Sequence, residues 1–221
     1  KLDISPHTPP DARLADSCGY SSVQVGSLCR IFPPRCLRES QRRLPLLPLF
    51  PVERTEYVFT DVSPVFLQRA RERFSTCSFV SYELLDIEAD PDSWNQLLHS
   101  FDLVIASNVI HATRNLDNTL NHVRRLLASG GMFLLCEVTR APMYLDLSFG
   151  MVDGWWAFED LDRRPEHCTM NTESWQRALG ANGFSGNMAF TDVPPDVAGV
   201  AQTLFFARGE RTIGIPRALE E

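Results

Sequence analysis

A histidine and a glutamate stand at the ends of two successive apolar runs, and their side chains could form an acid–base pair. His111 follows the run 103–106, and Glu137 lies near the end of the run 132–138. An imidazole can remove a proton near neutral pH, and a carboxylate on its other ring nitrogen fixes the tautomer and stabilises the imidazolium. A histidine after a strand is more often a structural cap, so the pairing is a hypothesis.

Two aspartates close earlier apolar runs in the same way. Asp61 follows the run 57–60, where a carboxylate can accept two hydrogen bonds from the vicinal hydroxyls of a ribose. Its competing role is to cap the helix that follows. Asp86 follows the run 79–85, where a plain Asx-turn is the competing interpretation.

The elements that must position these residues alternate between strands and helices. Hydrophobic periodicity and turn residues predict strands at 57–60, 79–85, 103–106, 132–138, 188–191 and 202–207, and helices at 65–74, 92–100, 116–127 and 173–181. Gly130 and Gly131 are expected to end the third helix, and residues 139–172 read as a long loop. The pattern predicts an α/β fold, a doubly wound, mostly parallel sheet of the Rossmann-like type with a C-terminal antiparallel hairpin.

Composition limits the class of partner. The 221 residues are 44% hydrophobic and carry a net charge of -7, which disfavours a nucleic-acid backbone as the main ligand. The chain has no apolar run of membrane-spanning length and no signal peptide at its start, so we expect a cytoplasmic protein that contacts no membrane. Its six cysteines form no CxxC pair, which favours reduced thiols and no metal site.

The first 52 residues differ from the rest. They hold more than half of the 15 prolines and none of the four tryptophans, so we expect a poorly specified, disordered arm. Residues 23–26 could form a short strand and residues 34–44 a short helix. We therefore divide the chain into an arm at 1–52, a main domain at 53–208 and a tail at 209–221.

Several segments carry a family resemblance. The stretches YVFTDVSPVFLQRA, LLDIEADP, FDLVIASNVIHAT, LLASGGMFLLCEVT and FGMVDGWW resemble, in this order and spacing, the C-methyltransferase domain of type I polyketide synthases. This domain is of the class I S-adenosylmethionine-dependent methyltransferase superfamily. The resemblance covers residues 55–208, and its HAT and GWW elements are more specific than the general fold.

The resemblance implies a cofactor, a reaction and partners. The cofactor would be S-adenosyl-L-methionine, and the reaction methylation of the α-carbon of a β-ketoacyl chain. That chain would be held as a thioester on the phosphopantetheine of an acyl carrier protein, beside neighbouring synthase domains. His111 would then be the general base and Glu137 its partner.

The resemblance also distributes the binding roles. It implies that Asp61 binds the ribose, Asp86 approaches the adenine amino group and Ile87 packs on the adenine ring. Asn108 could contact the cofactor or the enolate. Trp155 and Trp156 would line the acyl channel, although adjacent tryptophans are as often core anchors.

Two pairs of arginines are candidates for contact with an acidic carrier protein. They are 124–125 and 163–164, and ordinary solvated charge is the default interpretation of both.

One departure from the family pattern concerns the cofactor. The family has a glycine-rich loop, roughly E-x-G-x-G-x-G, after the first strand, and no such loop precedes Tyr57. Residues 23–26 offer a single glycine in its place. The sequence therefore leaves an alternative function open, a truncated and inactive methyltransferase-like fragment with a structural or docking role.

Overall fold

The computed structural model describes residues 25–31, 51–94, 97–151, 153–192 and 199–210. Its strands are β1 (Val25–Ile31), β2 (Thr55–Asp61), β3 (Val80–Leu84), β4 (Phe101–Ser107), β5 (Leu127–Arg140), β6 (Phe184–Thr191) and β7 (Ala201–Gly209). Its α-helices are α1 (Pro64–Arg73), α2 (Leu116–Leu126), α3 (Met143–Phe149) and α4 (Thr172–Ala181).

The strands form a seven-stranded sheet in the order β3-β2-β1-β4-β5-β7-β6. Strand β2 pairs in parallel with β3, and β4 pairs in parallel with β5. The other four pairings are antiparallel, so β1 and β7 run against the remaining five strands. The carboxyl ends of β2 and β4 consequently lie at one edge of the sheet, together with the ends of β3 and β5.

Helices cover both faces of this sheet. Because successive side chains of a strand point to opposite faces, Tyr57 and Phe59 pack with Leu67 of α1, whereas Val58 joins the larger cluster that contains Leu120 of α2. Helix α4 contributes Trp175 to that larger cluster. The predicted α/β class is therefore observed, together with the C-terminal antiparallel hairpin of β6 and β7. The sheet is mixed and not mostly parallel, because the reversed β1 and β7 make four of its six pairings antiparallel.

Two local predictions were wrong. Helix α2 ends at Leu126, and Gly130 and Gly131 lie inside β5, because Leu127 already adopts extended geometry and pairs with Phe101. The segment predicted as a long loop contains α3 and a 3₁₀ turn at Asp153–Trp156. Helix α3 has only seven residues, which is too short for hydrophobic periodicity to reveal it.

The predicted helix at 92–100 is only a 3₁₀ turn, Pro91–Trp94, within the residues that the structure describes. The predicted helix at 34–44 lies outside those residues, as does all of the tail beyond Glu210. The division into arm, domain and tail stays a prediction.

The arm contributes an interior strand of the sheet. The short strand predicted at 23–26 overlaps the observed β1, Val25–Ile31, at residues 25 and 26, and β1 pairs with both β2 and β4. Both pairings are antiparallel, so the amino end of β1 lies at the edge formed by the carboxyl ends of its neighbours. Val25 is opposite Ser107, the last residue of β4.

Candidate active site

The structure brings His111 and Glu137 into direct contact. The Nδ1 atom of His111 lies 2.6 Å from Oε2 of Glu137, and both side chains are buried. Glu137 projects from β5, and His111 lies in a 3₁₀ turn, Ile110–Ala112, that follows the carboxyl end of β4. Parallel pairing of these two strands therefore places the two residues side by side.

The second carboxylate oxygen of Glu137 holds the backbone of the same turn. Oε1 accepts hydrogen bonds from the backbone N–H groups of Val109 (3.2 Å), Ile110 (2.9 Å) and His111 (3.3 Å). These donors compensate a carboxylate whose residue is 0% exposed, since a buried charge is costly unless it is hydrogen-bonded.

The geometry also sets the tautomer of His111. A carboxylate can only accept, so Nδ1 carries a proton and Nε2 keeps a lone pair. Within the described residues Nε2 has no hydrogen-bond partner. Nε2 is therefore the ring nitrogen that could accept a proton.

Trp155 packs against this histidine, and Trp156 does not. The rings of Trp155 and His111 meet edge to face, with centroids 5.6 Å apart and planes at 78°. Trp155 is buried and also stacks on Phe149. Trp156 is 50% exposed, and its indole N–H donates to the carbonyl of Gly150 at 3.0 Å.

Asp146 and His167 hold Trp155, and sequence reasoning missed both. Asp146 Oδ1 accepts from the indole N–H of Trp155 at 2.9 Å and from Nε2 of His167 at 2.8 Å. The hydrogen bond from His167 is the main cause that lowers the pKa of Asp146. No motif in the sequence links these positions, since they lie far apart on the chain and meet only through α3 and the turn after it.

A cleft at the carboxyl ends of β2 and β4 is bounded by Asp61. Ile87, Val109 and Ile110 also line this cleft, which is partly open to solvent. Asp61 is 3% exposed, and its Oδ1 accepts the backbone N–H of Ser63 at 2.8 Å, whereas Oδ2 has no partner among the described residues. Burial raises the pKa of this carboxyl. A buried acceptor without a partner is suited to a ligand that brings hydroxyl donors.

Asn108 shows a second buried acceptor of this kind. It has a φ of 51°, which is uncommon outside glycine, and its Oδ1 is buried and unpaired within the described residues. Its backbone N–H donates to the carbonyl of Cys136 at 2.8 Å, which fixes the residue between β4 and the His111 turn.

The adjacent residues Asp86 and Ile87 differ in their position relative to the cleft. Asp86 is exposed and forms an Asx-turn, with Oδ1 accepting the backbone N–H of Glu88 at 2.9 Å, and it does not line the cleft. Ile87 does line the cleft, and its carbonyl lies 2.7 Å from Nδ1 of His122. His122 thus has a structural role, in agreement with its place among apolar residues.

Strand β1 runs in the reverse direction, and this alters the sheet edge next to Asp61. The family pattern has a glycine-rich loop after its first strand. Gly26 is paired with Thr60 and Ala106 inside the sheet, next to Val25 at the edge. A strand that enters the sheet at this edge does not lead into a glycine-rich loop there. The described residues accordingly contain no such loop beside Asp61.

Arg164 fits neither interpretation of the arginine pairs, which were contact with a carrier protein and ordinary solvated charge. It is 1% exposed, so it is neither solvated nor available to a carrier protein. Its neighbour Arg163 is partly exposed and pairs with Asp117 at 3.1 Å. The sequence did not indicate that Arg164 is buried, because two adjacent charged residues lie there in a segment without hydrophobic periodicity.

Comparisons with known proteins agree with this fold. The family described as "Methyltransferase domain" matches residues 43–133. Among curated relatives, the non-reducing polyketide synthase mapC of Penicillium roqueforti is 42% identical over 132 residues, which is 59% of this chain and 5% of the relative. The polyketide methyltransferase ustM of Ustilaginoidea virens is 41% identical over 63% of this chain and 31% of the relative.

Solved structures give the same result. The CurJ carbon methyltransferase is 40% identical with a TM-score of 0.67, and the match covers 75% of this chain and 44% of that one. The trans-methyltransferase CalH, solved with SAH, is 35% identical with a TM-score of 0.63, and covers 69% of this chain and 42% of that one. The chain spans less than half the length of each of these four proteins.

Residues 43–133 match a methyltransferase-domain model, and the fold is that of the class I methyltransferases. Over the matched part, the chain is homologous to the carbon methyltransferase domains of polyketide synthases. Among the described helices, none combines the length and apolar character needed to cross a membrane.

Proposed function

We propose that this chain carries the catalytic part of a carbon methyltransferase that acts on a β-ketoacyl thioester. The acyl chain would be carried on the phosphopantetheine of an acyl carrier protein, within or beside a polyketide synthase. The observation that carries the proposal is the buried His111–Glu137 pair, next to a cleft that contains Asp61. Within the described part of the chain, neither Nε2 of His111 nor Oδ2 of Asp61 has a hydrogen-bond partner.

The residues of the cleft fit S-adenosyl-L-methionine. Asp61 would accept from the ribose hydroxyls, and Ile87 would pack on the adenine ring. Asn108 offers a further acceptor, and Asp86 lies just outside the lining at the same edge. When bound, the cofactor would supply an electrophilic methyl group: its bond to the sulfonium sulfur would break as the bond to the substrate α-carbon forms, and the thioether would leave.

His111 and Glu137 would prepare that carbon. The α-proton between a ketone and a thioester is acidic, and Nε2 of His111 would remove it while Nδ1–H stays bonded to Glu137. The carboxylate stabilises the imidazolium that forms, so the proton transfer occurs without a solvent counter-ion. Trp155 packs on the ring of His111 and would exclude water from one side of it.

A mass-spectrometric assay tests this role. After incubation with S-adenosyl-L-methionine and an acetoacetyl carrier protein, the wild type should add one methyl group. His111→Ala should lower the rate about 10²- to 10⁴-fold, the usual contribution of a general base. His99→Ala removes an exposed histidine and serves as the control. Equal methylation by wild type and His111→Ala would remove His111 from the base role.

One observation favours a second candidate function, an inactive methyltransferase-like domain with a docking role. It is the reversed β1, which leaves the described cleft without a glycine-rich loop. Those glycines normally let the backbone approach the cofactor closely. Calorimetric titration distinguishes the two functions, because an inactive domain should give no heat with S-adenosyl-L-methionine at high micromolar concentration.

A further inference from the structure

We propose that Arg164 is a positioning residue that holds the backbone of His111 in the geometry its side chain needs. This inference rests on the proposed role of His111. It assigns a function to a buried arginine that contacts neither the cofactor cleft nor the imidazole ring.

The guanidinium of Arg164 donates to three backbone carbonyls around the histidine. Nη1 lies 2.8 Å from the carbonyl oxygen of His111, and Nη2 lies 2.7 Å from that of Thr113 and 3.2 Å from that of Arg114. Only a planar group with several N–H donors can serve three acceptors in this way.

Asp160 supplies the opposite charge and extends the contact to α2. Its Oδ1 accepts from Nε of Arg164 at 2.7 Å, and the residue is buried. Its Oδ2 accepts the backbone N–H of Leu116 at 2.8 Å, at the start of α2. The buried ion pair therefore joins the end of the His111 turn to the beginning of the next helix.

His111 is thus held from two sides. Glu137 accepts from its backbone N–H and its ring, while Arg164 donates to its carbonyl. A buried ion pair is weak evidence for stability, because desolvation offsets much of the attraction. Three hydrogen bonds from Arg164 end on the backbone of His111 and of the residues just after it, which points to positioning.

The test compares Arg164→Lys with Arg163→Lys. Lysine keeps the positive charge, but its single nitrogen cannot serve three carbonyls and Asp160 together. Arg163 is the matched control, since it is the adjacent arginine and pairs with Asp117 near the surface. We would use an acetoacetyl thioester of N-acetylcysteamine as substrate, so that contact with a carrier protein has no influence.

We expect kcat of Arg164→Lys to fall roughly 100-fold, the effect of misplacing a catalytic group by about 1 Å, with KM changed by no more than about twofold. The ring-nitrogen chemical shifts of His111, followed by NMR in ¹⁵N-histidine-labelled protein as pH is varied, should titrate differently from the wild type. Arg163→Lys should match the wild type in both measurements. Wild-type kcat and wild-type titration of His111 in folded Arg164→Lys would overturn the proposal.

A second variant covers the case in which Arg164→Lys does not fold. Asp160→Asn keeps an oxygen acceptor beside Arg164 but removes its counter-charge, so we expect a smaller decrease in kcat and the same direction of change in the His111 titration. Unchanged kcat and titration in Asp160→Asn would then overturn the proposal. Absence of methyl transfer by the wild type would instead contradict the proposed function, while the NMR titration would still report on Arg164.

Discussion

The carboxylate of Glu137 contacts both the ring and the backbone of His111. One oxygen lies 2.6 Å from Nδ1, and the other accepts the backbone N–H of the same residue at 3.3 Å. A single buried side chain therefore fixes the tautomer of the histidine and the turn on which it stands.

Glu137→Gln should separate these two functions. The amide oxygen can still accept backbone N–H groups, but the amide NH₂ cannot accept the proton on Nδ1 or stabilise an imidazolium. We expect kcat to fall about 10²- to 10⁴-fold with cofactor affinity retained. Glu166→Gln, at an exposed glutamate, is the control. Wild-type kcat in folded Glu137→Gln, measured by methyl transfer, would contradict the pairing.

Asp61→Asn should lose cofactor affinity. Charge-assisted hydrogen bonds contribute about 1.5–3 kcal/mol, so we expect the Kd for S-adenosyl-L-methionine to rise about 10- to 100-fold in calorimetry. Asp90→Asn changes an exposed Asx-turn aspartate, since the backbone N–H of Asp92 donates to Asp90 Oδ1 at 2.9 Å, and it should bind as the wild type does. Equal affinities of the two variants would remove Asp61 from the site.

The same residue predicts a pH dependence of stability. Burial raises the pKa of Asp61 above its unfolded value, so the folded state holds a proton more tightly than the unfolded chain does. Without cofactor, its contribution to the free energy of unfolding should decrease as pH rises from about 4 through the folded pKa. The free energy of unfolding of Asp61→Asn, measured with urea, should not show this decrease with rising pH. An identical pH profile in both proteins would contradict it.

Asp146→Asn should loosen Trp155 and destabilise the protein in a pH-dependent way. The pKa of Asp146 is lowered by its hydrogen bond from His167, so its stabilisation is present above the unfolded pKa and is lost as pH falls through the folded pKa. The free energy of unfolding, measured with urea, should therefore be lower for Asp146→Asn than for the wild type at pH about 7. This difference should become smaller below pH about 4. Asp162→Asn, at an exposed position, should show no such change. A deficit independent of pH would exclude the ionised carboxylate as its cause.

Two described cysteines should differ in reactivity. Cys168 is fully buried, and burial raises the pKa of its thiol to about 12, so little thiolate forms at neutral pH. Cys77 is partly exposed. Mass spectrometry after brief treatment of the native protein with iodoacetamide should find Cys77 modified and Cys168 intact. Modification of both at similar rates would show that the cluster around Cys168 opens readily.

Much of the fold and part of the site could be predicted from local patterns. Apolar runs that end in a polar residue located Asp61, His111 and Glu137, because buried parallel strands are continuous in hydrophobicity and present their ends to ligands. The end predicted for the helix at 173–181 is correct, and Gly183, just beyond it, has a φ of 77°, which favours glycine after a helix.

Tertiary contacts decided the rest. The sequence by itself determined the alternation of strands and helices and the residue types at the strand ends, since both follow from spacing along the chain. Only the folded structure showed that β1 runs in the reverse direction, that Asp146 and His167 hold Trp155, and that Arg164 is buried behind His111. These relationships join residues distant in the chain, and strand direction and charge burial depend on partners that local hydrophobicity does not encode.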